Sequence, residues 1–197
     1  MGDEIKNAST VVNPEKVNEY DKELLEKFRQ EETRNYAFNM LVREYQKRLY
    51  WHIRKILIDH DDTNDVLQNV FVKVWRNLDG FKGESQLYTW LYRIATNESI
   101  TFLNQKKKRA GVPLDEASAF LGTSLQSDGH FKGDEIQAKL QKAILTLPDK
   151  QRIVFNMKYF DNMKYEEMSG ILETSVGALK ASYHHAVKKI ERYLTGN

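Results

Sequence analysis

A chain of 197 residues with 41% hydrophobic residues can bury one medium core or two small ones. Its formal net charge is only +2 although 29% of its residues are charged, so the total excludes no partner and only the distribution of sign along the chain informs. Without a single cysteine it excludes disulfide frameworks and thiolate metal sites, which fits a reducing compartment.

The N-terminal segment MGDEIKNAST lacks the basic-then-apolar pattern of a leader, and residues 1–18 show no period. Residues 1–19 are expected to form a disordered extension. No apolar run approaches the roughly 18 residues needed to span a bilayer, so a soluble, cytoplasmic protein without membrane insertion is expected. Three prolines among abundant Leu, Lys, Glu and Gln argue for helices and against sheets. The expected fold class is all-α: two small helical domains, at 20–110 and 135–197, joined by a flexible linker at 111–134. That linker loses periodicity and carries Asp115, Glu116, Asp128 and Asp134 against Lys132 alone.

The strongest helix is expected from Asp62 to Leu78. Val66, Leu67, Val70, Phe71, Val74, Trp75 and Leu78 share one half of a helical wheel, and Asp62 or Thr63 can cap its first amides. The opposite stripe of Asp65, Gln68, Asn69, Val72 and Arg76 is polar with an aliphatic residue in its middle, which suits either a solvated face or a docking surface. Next, LDGFKGESQ sets Gly80 and Gly83 around Phe81 and Lys82. Glycine lets backbone approach a ligand, and Glu84, Ser85 and Gln86 offer hydrogen-bonding groups suited to base edges, although the segment alone is only a turn.

In LYTWLYRIATN the wheel places Leu87, Trp90, Leu91 and Ile94 on one arc, with Trp90 expected in the core. Tyr88 and Tyr92 are expected on another arc at its edge. Arg93 and the KKKR run at 106–109 border this helix against Glu98 alone, and such rings beside cations resemble a nucleic-acid face.

After the linker, Pro148 is expected at the first position of a helix. YEEMSGILETSVGALKASYHHAVKKIERYL then has the pattern of a helix-turn-helix: a helix from about Tyr165 to Leu172, a break at Glu173 and Thr174, and a second helix capped by Ser175 and running to about Tyr193. Val176, Leu179, Tyr183, Ala186, Val187 and Ile190 should face the core. Ser175, Gly177, Ala178, Lys180, Ala181, Ser182, His184 and His185 are left outward, with Lys188, Lys189 and Arg192 suited to phosphates. Glu173 stands where the turn favours glycine, at a cost of roughly 1 to 2 kcal/mol for a left-handed residue.

No metal, cofactor or catalytic site is expected. Asp59 to Asp62 surround a helix start, where capping explains them, and His184 and His185 are neighbours that cannot share one ion from a helix. A stand-alone helix-turn-helix regulator would account for the second block but not for the stripe and the glycine loop.

Taken together, DTNDVLQNVFVKVWRNLDGFKGESQLYTWLYRIATN resembles region two of bacterial RNA polymerase sigma factors of the extracytoplasmic-function (ECF) group. LPDKQRIVFNMKYFDNMKYEEMSGILETSVGALKASYHHA resembles region four of the same group. The resemblance implies core RNA polymerase and promoter DNA as partners, and leaves open an anti-sigma factor. It implies that Asp65, Gln68, Asn69 and Val72 dock on the polymerase clamp helices. The loop with Phe81, Lys82, Gly83, Glu84 and Ser85 would accept a base flipped from the minus-ten element, with Tyr88, Tyr92, Arg93 and Asn97 bordering the melted strand. Ser175, Gly177, Lys180, Ala181, Ser182, His184, His185 and Lys188 would face the minus-thirty-five element. Asn64 and Asn69 stand where the family often has acids, and Ser182 and His185 replace frequent arginines.

Overall fold

The structure, a computed structural model, describes the backbone of residues 14–111 and 135–196 and the side chains of 19–111 and 136–196. Almost all of the expected linker, and residues 1–13 of the expected extension, lie outside the described residues. Eight α-helices follow in order among the described residues: α1 (Pro14–Arg29), α2 (Arg34–Leu57), α3 (His60–Asn77), α4 (Leu87–Arg109), α5 (Glu135–Leu145), α6 (Asp149–Tyr159), α7 (Tyr165–Leu172) and α8 (Val176–Thr195). A single 3-10 turn, Leu78–Gly80, lies between α3 and α4, and no strand occurs among the described residues.

α1 begins at Pro14, inside the segment expected to be disordered. Proline suits a first helical position, and the segment that follows is rich in Lys, Glu and Leu. The chain divides into two compact units, Met1–Leu41 and Val42–Asn197, so the division falls within α2 rather than in the linker. In the first unit Leu24, Phe28, Ala37 and Leu41 are buried. The Arg34 guanidinium lies 4.4 Å over the Phe28 ring, and the Thr33 hydroxyl donates to the Lys27 carbonyl at 2.7 Å across the turn.

Within the second unit α3 packs along α4. The α3 cap is Asp59, earlier than the expected Asp62 or Thr63; its carboxylate accepts the Asp62 amide at 2.9 Å. The left-handed backbone of Ile58, at φ 67, ends α2 and leaves Asp59 extended, where an N-cap must be. Asp62 is thereby released to pair with Lys106 of α4. Val66, Val70, Val74 and Leu78 are buried as the 3.6-residue period requires, opposite Leu87, Leu91, Ala95 and Leu103 in the core. Buried Thr96 and Ser99 donate their hydroxyls to the carbonyls four residues back, each at 2.7 Å, so that neither is left unpaired.

Three of the four C-terminal helices, α5, α6 and α8, close around Ala143, Ile144, Leu147, Phe155, Ala186 and Ile190. Phe155 lies stacked between Tyr159 at 5.1 Å and Tyr183 at 5.8 Å. Pro148 sits one position ahead of its expected place, as the extended N-cap of α6. α7 and α8 form the expected helix-turn-helix with the expected break. Glu173 adopts the left-handed conformation, at φ 50 and ψ 41, and the Ser175 hydroxyl accepts the Ala178 amide at 3.3 Å to start α8. The Glu167 carboxylate satisfies the Lys164 amide at the start of α7, at 2.8 Å.

Candidate nucleic-acid interface

Burial of Val66, Val70 and Val74 turns the other face of α3 outward. Asp65, Gln68, Asn69, Val72 and Arg76 are all exposed there, and Val72, at 43% exposure, is one of the few large aliphatic side chains on the described surface. The stripe is therefore polar and weakly charged with an apolar centre.

Phe81 does not project from the glycine loop. Its ring is buried at 7% exposure and packs 5.3 Å from Trp90, which anchors the loop and turns Lys82, Gly83, Glu84, Ser85 and Gln86 to the surface. Gly83 has φ 74, a conformation that favours glycine, and the space beside it is open. Beside the loop lies a groove of about 430 Å³ lined by Gly80, Phe81, Lys82, Glu84, Ser85, Thr89, Trp90, Arg93 and Gly170. Its volume is that of a small-ligand site.

On α4 the aromatic rings depart from the wheel. Trp90, expected in the core, is half-buried and lines the groove, whereas Tyr92, expected at the edge, is 4% exposed with its ring 4.8 Å from that of His52. α4 is covered by α3 on one side and α7 on another, so burial extends beyond one apolar arc to Thr89, Tyr92, Thr96 and Ser99. Burial and the nearby Asp161 carboxylate push the Tyr92 phenol up to about 12. Tyr88 is half-buried, and burial together with the neighbouring Glu167 carboxylate raises its pKa as well. Arg93 is partly exposed and Asn97 exposed. Lys107, expected in a basic border, is 1% exposed and paired with Asp149, while Lys108 and Arg109 remain exposed.

The outward face of α8 matches expectation. Ser175, Gly177, Lys180, Ala181, His184, His185 and Lys188 are exposed and Ser182 half-buried, because Leu179, Ala186 and Ile190 take the core. Ser175 is occupied as a cap. Among the described residues no group of three His, Asp or Glu side chains could hold a metal ion, and no helix is long and apolar enough to cross a membrane.

Known proteins share this arrangement. The family profile described as Sigma-70 region 2 matches residues 41–109, and that described as Sigma-70, region 4 matches 137–190. The RNA polymerase sigma-H factor of Pseudomonas aeruginosa is 30% identical over 184 residues, covering 89% of this chain and 94% of that protein. The chain belongs to the ECF sigma factors. Among relatives of this sigma factor, the ECF RNA polymerase sigma-E factor of Escherichia coli K12 is 30% identical over 165 residues, 79% of this chain and 85% of that protein. Two solved structures share its fold. CnrH, in complex with the cytosolic domain of CnrY, gives a TM-score of 0.63 at 22% identity over 90% of this chain and 99% of that one. RpoE of Bartonella quintana, in complex with the anti-sigma factor NepR, gives 0.59 at 23% identity over 80% and 96%.

Thr89, Trp90 and Gly170 line the groove of this sigma factor without having been marked by their sequence context. Trp90 was assigned to the core by its aliphatic neighbours. Gly170 lies 80 residues further along the chain, beyond the reach of any local pattern.

Proposed function

We propose that this ECF sigma factor binds core RNA polymerase through Asp65, Gln68, Asn69 and Val72 of α3 and traps an unstacked minus-ten base against the loop of Lys82, Gly83, Glu84 and Ser85. Tyr88, Arg93 and Asn97 border the melted strand in this reading, and Phe81 and Tyr92 support it from within. The outward face of α8, with Lys180, Ala181, Ser182, His184, His185 and Lys188, enters the major groove of the minus-thirty-five element, preceded by Ser175 and Gly177 at its N-terminal end. The observation that carries the reading is the groove itself: a glycine loop pinned by one buried ring, presenting a cation, a carboxylate and a hydroxyl beside Trp90.

Magnitudes require the large partner. Flipping a base costs a few kcal/mol and stacking it on a ring returns about 1 to 3, so one captured base roughly offsets one extrusion. Holding open a whole bubble falls to the polymerase, and the chain acts as a subunit rather than an enzyme, in the cytoplasm where that polymerase works. A stand-alone regulator would leave the α3 stripe and the groove without a role. The likeness to RpoE, solved with NepR, supports an anti-sigma factor as a further partner. Reconstituted holoenzyme carrying Glu84→Ala with Ser85→Ala should open a promoter less well in a permanganate footprint. Unchanged opening would remove the capture-loop assignment.

A further inference from the structure

Lys27, Lys55, Lys73, Lys106 and Lys107 each end on an Asp or Glu carboxylate. Lys180, on the outward face of α8, ends differently. Among the described residues its ammonium pairs with no carboxylate and lies over the ring of Tyr165, 5.7 Å from its centre. Lys158 of α6 lies over the same ring at 5.1 Å and donates to the Met163 carbonyl at 3.0 Å, so it is held twice.

The ring is a firm support. Tyr165 opens α7, whose first turn is closed by the Glu167 carboxylate on the Lys164 amide at 2.8 Å, and its side chain is half-buried. α7 packs on α8, and burial, with the phenols of Tyr165 and Tyr159 nearby, raises the pKa of Tyr183 on the core side of α8. An aromatic face attracts a cation through its quadrupole without neutralising it. A carboxylate in the same place would cancel the Lys180 charge, and that pair would have to break before the ammonium reached DNA. A lysine with no neighbour keeps its charge but spreads it over many rotamers. The ring narrows the rotamers and leaves the charge whole, as a donor aimed at one base edge requires.

We infer that Tyr165 is a positioning residue for minus-thirty-five recognition: its ring holds the Lys180 ammonium toward the paired acceptors of one guanine in the major groove and sets sequence preference there without reading a base itself. This rests on the α8 assignment proposed above. Lys158 sharpens the arrangement, because its like charge opposes any drift of Lys180 toward α6. A cation over a partly exposed ring shifts an equilibrium about two- to fivefold, so the ring tunes preference at a single position rather than supplying the affinity of the whole face.

The test uses the full chain reconstituted with core polymerase. This holoenzyme selects duplexes from a pool randomised through the minus-thirty-five element, and the best duplex with its single-base-pair variants forms the probe set. Lys180→Met should lose discrimination at one position, which identifies the base pair that Lys180 reads. Tyr165→Leu should lower discrimination at that same position about two- to fivefold and leave the others unchanged. Tyr165→Phe, which keeps the ring face and drops the hydroxyl, should discriminate as the unsubstituted chain does, and Tyr165→Leu should add nothing to Lys180→Met. Discrimination is a ratio between duplexes, so a smaller folded fraction of any variant cancels from it. Uniform weakening on every duplex by Tyr165→Leu, or a Tyr165→Phe that behaves like Tyr165→Leu, overturns the positioning role, because the ring would then serve the fold or its hydroxyl the DNA. Intact discrimination in Tyr165→Leu beside a loss in Lys180→Met overturns it as well and leaves the α8 assignment standing. If Lys180→Met discriminates at every position as the unsubstituted chain does, the assignment of Lys180 to DNA falls, and the role of Tyr165 with it.

Discussion

The two surfaces proposed to face DNA in this sigma factor differ in what backs them and in what covers them. The α8 face is backed by a local core, with Leu179, Ala186 and Ile190 beneath it and Phe155 stacked on Tyr183, and its outer side meets solvent. The α4 face has a core on one side, but its other side meets α7, so Tyr92 and Thr89 are buried and the groove is shared with Gly170. A helix built on one apolar stripe leaves its outer face to solvent, and a helix packed on two sides shares its surface with both neighbours.

That contrast can be broken most severely from beneath α8. Phe155→Ala should cost about 3 to 5 kcal/mol in denaturant unfolding, because a fully packed ring is lost, and should remove minus-thirty-five duplex binding with it. Duplex binding retained despite that loss of stability would show the face to be independent of its core. Next in size, Asp149→Ala strands Lys107 and Arg152, which are 1% and 0% exposed. Burial already lowers the Arg152 pKa, against the opposing pull of Asp149. Removing one member of such a cluster typically costs about 3 to 5 kcal/mol, so the midpoint of urea unfolding should fall sharply.

Glu173→Gly should act in the opposite direction. Relief of the left-handed backbone returns roughly 1 to 2 kcal/mol, and the lost surface pair with Arg93 removes at most about 1, so the urea midpoint should rise slightly with an unchanged slope. A lower midpoint would mean that the Glu173 carboxylate contributes more than an exposed pair can.

The smallest effect is on pH. Burial raises the Asp161 pKa, but the nearby His52 ring and the Lys55 charge outweigh it and hold the carboxyl below its ordinary value of 3.8. A depressed pKa stabilises the paired state above that ordinary value and loses the contribution as pH falls through the lower one. Energy transfer between dyes on α4 and α7 should therefore stay level from neutral pH to about 5 and decline only below about 4, and Asp161→Asn should flatten the decline.

What local chemistry controls was legible in the chain. The α7 and α8 boundaries, the Ser175 cap and the outward α8 face all follow from residues within a few positions of one another, as does the exposed stripe on α3, whereas Glu173 keeps the left-handed turn that its side chain argued against. The start of α3 was displaced to Asp59 because left-handed Ile58 was not marked by any glycine or asparagine. The core role of Phe81 was hidden because a phenylalanine between glycines has the same local context whether it is anchored or free.

The sequence by itself determined an all-helical chain with two modules and a reader helix, since helical period, capping and turn residues act over three or four positions. Only the tertiary structure decided that Tyr92 lies inside and Trp90 at the groove, that Lys107 is buried against Asp149, and that Gly170 meets Thr89. Those outcomes depend on which surfaces meet across 40 to 80 residues of chain, and burial is set by the neighbour that arrives rather than by the stripe that awaits it.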